Sequence, residues 1–76
     1  KSKVFPNPAS TELILELPTE ELINVQLIDM SGSIHSAAGI KEGNLWKINV
    51  EHLRNGNYIL SAETSNGVLQ QKVIIE

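Results

Sequence analysis

The sequence predicts an all-β domain, a small antiparallel sandwich of seven short strands, on three observations. Apolar residues recur with a period of two rather than 3.6. Glycine, asparagine and proline punctuate the alternating runs at the short intervals of strand-turn-strand chains. The 76 residues are 41% apolar, too many for a disordered chain at this charge and enough for one core.

Taken in order, strands are expected near Val4 and over Leu13–Leu17, Asn24–Asp29, Ser33–Ala37, Leu45–Asn49, Asn57–Thr64 and Val68–Ile75. Leu13, Leu15 and Leu17 alternate with Ile14 and Glu16, so one face is apolar and Glu12 continues the other. Ile23, Val25 and Leu27 alternate with Asn24, Gln26 and Ile28, and Trp46, Ile48 and Val50 with Lys47 and Asn49. Tyr58, Leu60 and Ala62 form the inward set of the next strand, and Val73, Ile74 and Ile75 give the last one enough apolar surface to pair deep in a sheet. Pro18 closes the first long strand, and Gly39 with Gly43 brackets a loop. In Asp29-Met30-Ser31-Gly32, Asp29 can accept turn amides and Gly32 can take the left-handed position. Asn55-Gly56 marks another reversal. Asn66-Gly67 suits a two-residue hairpin loop with positive φ at both positions. Val50–Leu53 is read as a single helical turn held to the core by Leu53. Two face-to-face sheets would bury the alternating set, an immunoglobulin-like arrangement.

Composition narrows the function classes. Six basic and nine acidic side chains give a net charge of −3, without a basic stripe for nucleic acid or a polybasic patch for anionic lipid. With no cysteine there is neither a disulfide framework nor a thiolate metal site, and packing alone must hold the domain. No apolar run approaches the roughly 20 residues of a membrane-spanning helix. Because the chain starts at Lys1 and not at Met, it is read as a piece of a longer protein.

No catalytic constellation emerges. His35 and His52 are the only candidate bases near neutral pH, and both are read as solvated. Glu12 and Glu16 share a polar strand face instead of forming an acid/base pair. Glu20 and Glu21 could offer oxygens to calcium, but that ion wants six to eight of them and the chain has one Asp. The aromatics Phe5, Trp46 and Tyr58 sit on inward faces and are expected in the core, which argues against a carbohydrate platform. No enzyme activity, cofactor or metal is expected. From these residues a carbohydrate-binding module and a plain spacer both remain open.

Four motifs change that reading. Phe5-Pro6-Asn7-Pro8-Ala9 opens the chain; Val25–Asp29 leads into Met30-Ser31-Gly32; Leu53-Arg54-Asn55-Gly56-Asn57-Tyr58 follows; Gly67 and then Lys72-Val73-Ile74-Ile75 close it. Each is weak alone. In this order and at this spacing they resemble the signature of the type IX (Por) secretion C-terminal sorting domains of Bacteroidota, type A. Ser33 stands where that family often has Arg or Lys, and the chain ends on Glu76 rather than a basic residue.

The resemblance implies that residues 1–76 are one non-catalytic sorting domain at the end of a larger secreted protein. It further implies recognition by the type IX translocon and removal by a sortase-like cysteine protease. The passenger lying upstream would reach the cell surface or medium through periplasm and outer membrane, without the domain inserting into a membrane. The residues carried over are Pro6, Asn7, Pro8, Asp29, Gly32, Gly56, Tyr58, Gly67, Lys72, Val73 and Ile74. Several also have local structural roles: Pro6 and Pro8 favour extended neighbours, and the glycines suit turns. The final strand is the expected docking edge, since unpaired amides and carbonyls can accept a partner strand.

Overall fold

A computed structural model describes residues 2–76, which form eight strands and no helix. In chain order these are β1 (Lys3–Phe5), β2 (Glu12–Glu16), β3 (Leu22–Asp29), β4 (Ile34–Ala37), β5 (Gly39–Glu42), β6 (Leu45–Asn49), β7 (Gly56–Thr64) and β8 (Gly67–Ile75). They pair antiparallel in two sheets, ordered β1-β2-β6-β5 and β4-β3-β7-β8. This is the A-B-E-D and C′-C-F-G order of an immunoglobulin-like sandwich.

Period-two alternation builds the core. Leu13 and Leu15 of β2 and Ile48 of β6 face Val25 and Leu27 of β3, Leu60 and Ala62 of β7, and Val73 and Ile75 of β8; all are buried. The residues between them turn outward, so each strand contributes one layer to the core and one to the surface. The chain crosses between the sheets at both open sides. On one side β4 runs through Ala38 into β5. On the other, the chain leaves β1 and at Ala9 makes a parallel bridge to Ile75 of the opposite sheet before returning as β2.

Five details differ from the sequence reading. The eighth strand is Gly39–Glu42, expected as loop; it pairs with β6 from Gly39↔Ile48 to Glu42↔Leu45. A glycine starts it because a Cβ there would lie 2.9 Å from Leu22 Cδ2 and 3.3 Å from the Trp46 ring. Val50–Leu53 is a reverse turn, not a helical one: Leu53 N–H donates to the Val50 carbonyl at 3.0 Å, while Leu53 itself is buried as expected. The register slips between Leu22 and Asn24, which turns Ile23 out to 62% exposure and sets Leu22 against the core. Phe5 faces solvent beside Ile14 rather than the core, and Trp46 is only half-buried. In the last hairpin no non-glycine residue has positive φ; Gly67 alone does, at 118°, and the Thr64 hydroxyl organises the turn by accepting from Asn66 N–H and donating to the Gly67 carbonyl.

A domain of this size has on the order of 4 to 11 kcal/mol of stability in total. Leu60 is fully buried in β7, which pairs on both sides. Leu60→Ala should therefore cost about 2–5 kcal/mol, read as a lower urea midpoint with unchanged slope.

Candidate functional site

Three of the four sequence motifs, and most of the last, meet at one end of the β4-β3-β7-β8 sheet. The register places Asp29 opposite Tyr58, Tyr58 opposite Val73, Asn57 opposite Ile74 and Gly56 opposite Ile75. Asn7 joins them through hydrogen bonds to Lys72 and Ile74. Gly67 is not part of this cluster. It lies at the far end of the nine-residue β7–β8 ladder, opposite Thr64, roughly 27 Å away along the strand.

The lead-in segment and the last strand form one unit. β8 is an edge strand, so alternate backbone groups along it face away from β7. Ile74 is one of these. Its N–H donates to Asn7 Oδ1 at 2.9 Å, and its carbonyl accepts from Ala9 N–H at 2.8 Å. Asn7 Nδ2 also reaches the Lys72 carbonyl at 3.4 Å, and Glu76 N–H donates to the Ala9 carbonyl at 2.8 Å. A carboxamide carries a donor and an acceptor side by side, so the Asn7 side chain stands in for a backbone peptide where Pro6 and Pro8 have no N–H to offer. Both prolines follow cis peptide bonds. Pro6, Asn7, Pro8, Lys72 and Ile74 stay exposed around this seam, whereas Val73 is fully buried.

The second motif is a turn built on one carboxylate. Asp29 Oδ1 accepts from Ser31 Oγ at 2.6 Å and from the amides of Ser31 and Ser33 at 3.0 Å each. Gly32 takes φ of 91°, as expected for this turn, and donates to the Asp29 carbonyl. Asp29 Oδ2 meets His35 Nε2 at 2.9 Å. The Ser31 hydroxyl, then His35, hold the Asp29 carboxyl well below the usual carboxylate range. His35, expected to be solvated, is instead partly buried and packs edge-on against Tyr58 with ring centroids 5.9 Å apart. The signal available for it was parity: His35 lies opposite Leu27 and so shares its inward side.

Tyr58 links the third motif to the same end. It is 4% exposed at the start of β7, and its hydroxyl donates back to the Arg54 carbonyl at 2.7 Å. That contact is a tyrosine corner of the sandwich class. Asp29, His35, His52, Arg54 and Tyr58 line a pocket of about 340 Å³. No group of three or more His, Asp or Glu among the described residues is placed to hold a metal, and Glu21 pairs with Lys41 at 2.8 Å. Of the aromatics only Phe5 is exposed, at 40%; Trp46 lies under the Lys41 ammonium at 5.6 Å, so no aromatic row is presented.

Two outcomes follow from these contacts. Asn7→Ala removes both side-chain bonds and should cost about 1–2 kcal/mol. Hydrogen exchange should speed up at the Ile74 amide but not at that of Val73, which faces β7. The folded Asp29 carboxyl titrates below the ordinary 3.8 of the unfolded chain. Its contribution to stability is therefore complete above that value and is lost as the pH falls from there through the folded value. Asp29→Asn should melt lower than the parent at neutral pH, and the gap should narrow below pH 3.8.

Comparison with curated proteins and with solved structures returned no match. A family model does match, over residues 3–76, and its description is the secretion system C-terminal sorting domain. Nearly the whole sandwich is covered, from β1 to the residue after β8. The chain belongs to this family of type IX secretion sorting signals.

Proposed function

We propose that the outer-membrane translocon of the type IX system reads this domain as a folded shape, at the end of the sheet where the lead-in and final motifs meet. The observation that carries the reading is the seam itself. Asn7 and Lys72, 65 residues apart, are joined by a hydrogen bond, and the side chains around them are exposed. A receptor can contact both only when the domain is folded, which makes folding a condition of export. Gly32, Gly56 and Tyr58 serve this site by fixing the turns behind it, and Gly67 shapes the distant hairpin. Val73 anchors β8 in the core, while Lys72 and Ile74 present it. The sequel is cleavage ahead of the domain by a sortase-like cysteine protease, with the passenger released or joined to the cell surface. The domain is substrate throughout and supplies no catalytic group.

The test is a fusion of residues 1–76 to the end of a periplasm-targeted fluorescent protein, in strains with and without a working type IX system. Fluorescence outside the outer membrane should depend on the system. Equal retention in the periplasm of both strains, with the domain folded, would overturn the reading. Deleting Lys72–Glu76 should abolish export, but it also strips Val73 and Ile75 from the core. Lys72→Ala separates recognition from folding, since that side chain is exposed. It should lower export at least fivefold while the melting temperature stays within a few degrees.

A further inference from the structure

The two outer faces of the sandwich are unlike. On the β1-β2-β6-β5 sheet the outward positions include Lys3, Glu12, Glu16, Glu42 and Lys47. On the β4-β3-β7-β8 sheet the outward positions carry two charges, Glu63 and Lys72, and the rest are apolar or neutral. The register lines up Ile34, Ile28 and Ile59 across three strands, and the row ends at the β8 edge on Lys72. Ile34 is 60% exposed. The next row, Ser36, Gln26, Ser61 and Gln70, is uncharged. Lys72 takes part in none of the ion pairs among the described residues.

The β8 edge completes the picture. The lead-in segment consumes both outward groups of Ile74. Counting back in twos, the outward N–H groups of Lys72, Gln70 and Val68 remain open to a neighbour. An open edge of about five residues thus adjoins a nearly uncharged face. Stacking a second copy on that face would leave these outward groups unused. Adding a strand at the edge uses them in ladder bonds and prolongs the row that ends on Lys72.

We propose that this face and the Val68–Lys72 edge form one docking surface for an edge strand of a partner protein. That strand would carry a carboxylate opposite Lys72, at the end of the isoleucine row, and uncharged side chains opposite Gln70 and Val68. The inference rests on the sorting reading and specifies the partner surface that engages this site.

The export fusion tests it with five substitutions. Ile34→Lys charges the face at an exposed position, and Gln70→Pro removes an outward N–H without touching the β7 ladder. Each should cut export at least tenfold while the isolated domain melts within a few degrees of the parent. Lys72→Glu should cut it further than Lys72→Gln, because only reversal opposes the partner's carboxylate. Ile40→Lys, equally exposed on the opposite sheet, is the control and should export as the parent does. Parent-level export of folded Ile34→Lys and Gln70→Pro would overturn this surface while leaving the sorting reading intact. A dimer in sedimentation that Ile34→Lys dissolves would also overturn it, by giving the face to a second copy. If the parent fusion itself shows no dependence on the type IX system, the sorting reading fails and this surface with it.

Discussion

Two four-stranded sheets face each other across a layer of leucine, isoleucine and valine side chains, and in a chain without cysteine no disulfide joins them. Every other feature depends on that contact. The layer is thin, so losing even one of its members removes a large share of a small total stability. Crossing the chain at both open sides compensates by making the two sheets parts of continuous strands. Ala38 does this at one side, and the Asn7–Ala9 segment does it at the other.

That second crossing gives the lead-in motif a physical reason to contain Pro-Asn-Pro. A true strand along β8 would pair the whole edge and leave nothing open. Two prolines cannot donate, so the segment bonds only through the Asn7 carboxamide and the Ala9 backbone. The edge is sealed at Ile74 and left open upstream. Sealing protects the place where Val73 and Ile75 enter the core, and the open stretch is short enough to resist indiscriminate edge pairing.

Much of the fold was legible in the sequence because period two survives in the strands that line the core. Leu13, Leu15 and Leu17, or Tyr58, Leu60 and Ala62, announce an inward face with no help from distant residues. The failures share a cause. Ile23 turns out because a register slip in β3 shifts its parity, and Gly39 enters a strand through its pairing with Ile48 of β6, with the Leu22 and Trp46 side chains packed close against it. Phe5 obeys the pairing of β1 with β2, which its own three-residue strand is too short to specify. The site divides in the same way. The Asp29 turn is local and was readable with its ligands; the role of His35 depended on the pairing of β4 with β3. The four motifs were visible in order, yet nothing local said that the first would bond to the last.

The bridge between Ala9 and Ile75 has a further consequence for timing. Its two halves are separated by nearly the whole domain, and β8 supplies both Val73 and Ile75 to the inner layer. A nascent chain that has not yet yielded its final residues can close neither the core nor the seam. Folding of the sandwich must therefore wait for synthesis of the domain to finish. The seam is thus a mark of completeness: a chain interrupted anywhere before Ile75 carries no finished bridge between Ala9 and Ile75.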